Sequence, residues 1–84
     1  MQEGDLVTAA EMADGQQGVV VRVDGEQMMQ DRLEALGIRP GRKIRKVSSA
    51  FMKGPTVIEV EGCSIAVGFG MASRIFAKTE QTAP

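Results

Sequence analysis

GVVVRVDGEQMMQDRLEALGIRPGRKIRKV, residues 18–47, decides the fold, because a strand, a helix, a tight turn and a second strand follow one another inside it. Gly18 to Val23 is rich in β-branched residues and is bounded by Gly18 and the Asp24–Gly25 pair, the pattern of a strand. Asp24 offers a side-chain acceptor with Gln27 three residues on, which predicts a capping box at the start of a helix. Met29, Leu33 and Leu36 then recur at i, i+4 and i+7, a narrow apolar stripe on about eleven residues of helix with Gln30, Asp31 and Glu34 turned outward. Gly37 is placed to end that helix through a positive φ. So thin a stripe does not stand alone in water and must lie on a sheet. Pro40 and Gly41 follow in the order that a tight turn favours, and a strand from Lys43 to Ser48 comes next.

Outward from this segment the pattern stays β. GPTVIEVEG, residues 54–62, alternates, which predicts a strand from Thr56 to Glu61 with Ile58 and Val60 on one side and Glu59 and Glu61 on the other. Gly62 and Cys63 are read as the turn into SIAVGF, residues 64–69, a further pairing strand. FGMASRIFA, residues 69–77, gives a brief turn and a last short strand at Arg74 to Ala77. On the other side, Leu6 to Asp14 is expected to form one short helical turn capped by Thr8 and Glu11, ended by Gly15 and Gly18. MQEGD at the start and KTEQTAP at the end read as polar tails. The expectation is a single domain over residues 1–84, with its core at about 6–78: mainly β, a small barrel of about five strands with one α-helix inserted after the first strand.

At 84 residues the core is thin, and a deep substrate cavity is not expected. Cys63 is the only cysteine, so no internal disulfide forms and a reducing compartment is expected. Met1 to Leu6 carries Glu3 and Asp5 and does not resemble a signal peptide, and apolar runs such as Val19 to Val21 are far shorter than the roughly 20 residues that span a bilayer. These features predict a cytoplasmic protein with no direct membrane insertion.

Charge is segregated along the chain. Residues 1–34 hold eight acids against Arg22 and Arg32, a net charge of −6, whereas residues 35–58 hold Arg39, Arg42, Lys43, Arg45, Lys46 and Lys53 with no acid, a net charge of +6. The two stretches either polarise the surface or lie side by side and neutralise each other. The chain has no histidine, tryptophan or tyrosine, and neither a GxxxxGK[ST] nor a GxGxxG pattern, so no enzyme activity and no cofactor are expected. Asp31 and Glu34 share a helical face, and a solvated face outweighs acid–base work for them. Cys63 is read as a small, half-buried residue and the methionines as core filling, although clustering of several would point to soft-metal chemistry. The basic stretch lacks interleaved aromatics, since Phe51, Phe69 and Phe76 are the only ones, which makes nucleic acid a lesser partner than an acidic protein surface. SSAFMKGP, residues 48–55, places Phe51 and Met52 at a hairpin tip, where they either fold back onto the barrel or are offered to a partner, with Lys53 adding charge beside them.

The order of these motifs resembles the ferrous iron transport protein A (FeoA) family. The resembling pieces are AAEMADGQQGVVVRVDG (residues 9–25), RLEALGIRPGRKI (32–44) and GPTVIEVEGCSIAVGFGMASRIFA (54–77), with LGIRPG from Leu36 to Gly41, preceded by Arg32 and Leu33, the most specific. The resemblance implies an SH3-like β-barrel with a helix after the first strand. It also implies a cytosolic accessory protein for ferrous iron uptake that acts on the membrane transporter FeoB through that protein's cytosolic GTP-binding domain. The sequence departs from many relatives at Phe69, where they carry a charged residue. The same barrel is appended to metal-dependent repressors of the diphtheria-toxin-repressor type, whose DNA-binding helices have no counterpart here.

The expected activity is therefore binding, with Phe51 and Met52 forming an apolar patch edged by Arg42, Arg45 and Lys53, and regulation by preference for one conformation of the partner. Direct weak Fe2+ binding at Asp31 and Glu34, nucleic-acid binding through the basic stretch, and a weak homo-oligomer through edge strands remain open alternatives.

Overall fold

A computed structural model describes residues 6–49 and 54–79. The tails Met1–Asp5 and Glu80–Pro84, and the predicted contact residues Phe51, Met52 and Lys53, lie outside the described residues. The elements in chain order are β1 (Leu6–Thr8), β2 (Gln17–Val23), α1 (Gln27–Ala35), β3 (Lys43–Ser49), β4 (Thr56–Val60), β5 (Cys63–Val67), α2 (Phe69–Ala72) and β6 (Ile75–Thr79). All strand pairs are antiparallel, in the order β1-β6-β2-β3-β4-β5.

Alternation along the strands builds the core. Val20, Ile44, Ile58, Val60, Ile75 and Ala77 point inward, and Leu33 and Ile38 close over them. Register slips at Val21 in β2 and Val47 in β3 mark bulges, which bend those strands and let the sheet curl around this small core. β1 is the strand that pattern reading misses: its three residues are too few to show alternation, and pairing with β6 makes it a strand. The helix consequently follows the second strand, not the first.

The end of α1 follows the local chemistry. Ile38 N–H donates to the Leu33 carbonyl at 2.9 Å and Gly37 N–H to the Glu34 carbonyl at 2.9 Å, a Schellman motif with Gly37 at φ 96°. Reversing the chain at Gly37 sets Ile38 against Leu33 in the core and leaves Leu36 at the helix terminus, 45% exposed, so the predicted stripe ends at Leu33. Arg42 N–H to the Arg39 carbonyl at 3.1 Å, with Gly41 at φ 93°, completes the Pro40–Gly41 turn as expected.

Other boundaries differ. Asp24 does not cap α1: its N–H still donates to Arg74 of the neighbouring chain segment at 2.9 Å and its carboxylate takes the Arg22 guanidinium at 3.0 Å, so the helix begins two residues later with Glu26 as N-cap. Thr8 and Glu11 exchange bonds as a capping box, Thr8 N–H to Glu11 Oε1 at 2.9 Å and Glu11 N–H to Thr8 Oγ1 at 3.3 Å, but they cap a turn that Gly15 and Gln16 carry into β2. β4 stops at Val60. Glu61 and Gly62, at φ 52° and 83°, are the two-residue turn of a type I′ hairpin, and Cys63 opens β5. β6 runs on through Lys78 to Thr79, residues read as tail.

Lys46 is the residue whose place was least expected. It follows Ile44 at i+2 and so shares its inward face, 1% exposed. Its Nζ donates to the carbonyls of Met12 (2.7 Å), Ala9 (3.1 Å) and Ala10 (3.2 Å). Its backbone holds the same connection, with Lys46 N–H to the Gln16 carbonyl at 2.9 Å and Gly15 N–H to the Lys46 carbonyl at 2.6 Å. Burial pushes the ammonium below the 10.5 of a solvated lysine, and attraction to Asp14 partly opposes this.

Lys46→Met keeps the apolar stem but leaves three carbonyls without their donor, and is expected to cost about 1–3 kcal/mol in denaturant unfolding. Because the unfolded chain binds this proton more tightly than the folded one, the Lys46 contribution is smallest below its folded pKa and grows as pH rises towards 10.5. The gap between wild type and Lys46→Met should widen across that interval in melts at increasing pH. At the hairpin, Glu61→Asn relieves a left-handed backbone at the loss of an exposed ion pair, and should raise stability by roughly 0.5–1 kcal/mol in the same assay.

Candidate partner-binding surface

The β3–β4 register determines what the basic stretch becomes. Arg45 stands opposite Glu59, and its Nε donates to Glu59 Oε1 at 2.9 Å. Arg42, just before β3, pairs with Glu61 of the hairpin turn. These pairs line a shallow groove of about 380 Å3 together with Gln17 and Gly62. Arg39 reaches Glu34 at 3.7 Å, and Lys46 is inside. The stretch that sums to +6 in sequence is thus interleaved with carboxylates, and the concentrated positive field that nucleic-acid binding draws on is dispersed. Phe76 is covered by the Arg22 guanidinium, 4.3 Å above the ring, so it is not a free stacking platform.

Arg42 and Arg45 are therefore brought together, both in the groove. Ser49, the last described residue before position 54, stands seven positions beyond Arg42 along β3, roughly 23 Å at strand rise. Phe51, Met52 and Lys53 follow in the sequence and lie outside the described residues.

The helix carboxylates are engaged as well. Asp31 accepts from Gln27 Nε2 at 2.8 Å and Glu34 faces Arg39. Among the described residues no three His, Cys, Asp or Glu side chains gather to hold a metal ion. Cys63 is exposed, not half-buried, because it opens an edge strand. Met12 fills the core as expected, but Met28 is 72% exposed, and Met28, Met29 and Met71 line one shallow depression beside Arg32. Side chains from α1 and from the α2 turn share this depression, which residue spacing did not reveal. Phe69, on α2, is 40% exposed. No helix among the described residues is long and apolar enough to cross a membrane.

The fold is that of a small SH3-like barrel, and its described surface carries ion pairs and exposed apolar side chains. The FeoA domain family model matches residues 7–79, and the chain belongs to the FeoA family, an accessory, transport-related family and not a known enzyme family. It is 29% identical over 65 residues to a Methanocaldococcus jannaschii protein named for Fe(2+) transport as transport protein A, covering 77% of each chain. Among solved structures, an iron uptake regulatory protein (FeoA) superposes with a TM-score of 0.84 at 32% identity, over 89% of this chain and 99% of that one. FeoA of Stenotrophomonas maltophilia, a procaryotic SH3 domain protein complexed with zinc, superposes with a TM-score of 0.74 at 22% identity, over 86% of this chain and 89% of that one.

The Arg45–Glu59 pair is half-exposed, so a double-mutant cycle with Arg45→Ala and Glu59→Ala should return a coupling of about 0.2–1 kcal/mol that shrinks with added salt.

Proposed function

We propose that this protein is a cytoplasmic, non-catalytic binding module of ferrous iron uptake that binds the FeoB membrane transporter at its cytosolic GTPase domain and regulates it. Membership of the FeoA family carries this reading. The barrel acts by differential affinity: binding one conformation of the GTPase domain more tightly than another shifts the population by that difference, about tenfold for 1.4 kcal/mol. Iron is cargo of the transporter in this scheme and does not need to touch the barrel.

The proposed contact residues are Phe51, Met52 and Lys53, which fall between β3 and β4 in the sequence, with Arg42 and Arg45 in the groove. An apolar anchor flanked by charge is the usual make-up of a protein-binding surface, the anchor supplying affinity and the charges supplying orientation.

Calorimetric titration with the isolated GTPase domain tests this. Phe51→Ser should weaken binding about tenfold or more while thermal unfolding stays cooperative. Undiminished affinity in that variant places the contact elsewhere, and no heat of binding with the wild type under any nucleotide removes the GTPase domain as partner.

A further inference from the structure

The strand order leaves β1 and β5 as the edges of the sheet. Proteins protect edges with short strands, lysines, prolines or bulges. β1 is three residues long. β5 has none of these protections: it reads CSIAV over five residues, and its register with β4 is unbroken. It also lies within Gly62–Ser73, the longest stretch of the chain without a charged residue.

The hairpin turn dictates which backbone groups of β5 are free. With a two-residue I′ loop at Glu61–Gly62, Val60 and Cys63 close the hairpin as a hydrogen-bonded pair, and bonding alternates from there. Cys63, Ile65 and Val67 turn their N–H and carbonyl groups to β4, while Ser64 and Ala66 turn theirs outward. Both are exposed, and among the described residues β5 bonds to no segment besides β4.

We propose that β5 is a self-association edge, to which a second copy of this chain adds antiparallel about a two-fold axis through Ile65. An antiparallel strand pair made of one sequence is isologous, and this sequence satisfies the symmetry without conflict. Ser64 and Ala66 exchange bonds with Ala66 and Ser64 of the second copy, Cys63 falls opposite Val67, and no like charges meet. Ile65, half-buried on the core side, meets its own equivalent and removes the rest of its apolar surface from water. A five-residue strand buries far less than the ~1,200 Å2 of a standard interface, so the dissociation constant falls at about 0.1–1 mM.

Sedimentation velocity in reductant, from about 20 µM to 1 mM protein, should show the mean mass rising towards that of a dimer. The double variant Ser64→Lys, Ala66→Lys sets lysines opposite lysines across the axis and should weaken association at least tenfold, with a circular-dichroism melt confirming that it folds. A nitroxide on Cys63 of an unlabelled copy should broaden the Val67 and Gly68 amides of a 15N-labelled copy, and this measurement decides the matter should the lysine variant not fold. A monomer throughout, association unaffected by the lysines, or broadening centred on Met28 instead of β5 overturns the proposal.

Discussion

One buried ammonium organises the half of the barrel that has least regular structure. The connection from Ala9 to Gln16 contributes Ala9 and Met12 to the core yet forms no helix, so the carbonyls of Ala9, Ala10 and Met12 take no backbone N–H among the described residues. Lys46 Nζ supplies all three with a donor, and the Lys46 backbone fastens Gly15 and Gln16 at the same point. Buried polar groups are expensive when unpaired and modestly favourable when paired, so this single side chain decides whether the connection packs or opens. The position of β1 follows from it, because β1 enters directly before the tethered turn and pairs with β6. A charged donor also holds the site to one geometry, which an apolar residue would not.

Sheet register performs the electrostatic work that composition left undecided. Six cations in a row along the sequence look like a basic surface, but antiparallel pairing sets β4 beside β3 and brings Glu59 to Arg45, while the hairpin turn delivers Glu61 to Arg42. Strand alternation sends Lys46 to the opposite face. Neutralisation therefore comes from the short acidic segment that follows the basic stretch, with the acidic N-terminal third contributing Glu34 to Arg39. The result is a surface of alternating sign with separated apolar points at Met28, Leu36 and Phe69.

Local rules were reliable where one residue's backbone preference settles the matter, and unreliable where the choice depends on a neighbouring strand. Gly37 ends α1 and Pro40–Gly41 turns the chain because positive φ and a fixed φ are properties of the residues themselves. Asp24 fails as a cap because its backbone N–H is held by the Arg74 carbonyl just before β6, and Glu61 leaves its predicted strand because the two-residue hairpin takes it into the turn. The candidate contact residues divide in the same way: Arg42 and Arg45 were legible as charges, but their carboxylate partners were visible only through the register.

The amino-acid sequence by itself determined the mainly β class, the helix with its glycine stop, the tight turn and the family to which the chain belongs, because those depend on short-range conformational preference and on motif order. Tertiary structure alone decided that Leu6–Thr8 is a strand, that Lys46 is internal, that the methionines of α1 and α2 meet, and that β5 is left as an open edge. Each of those depends on which segments are adjacent in space, and adjacency is set by the closure of the whole sheet around its core.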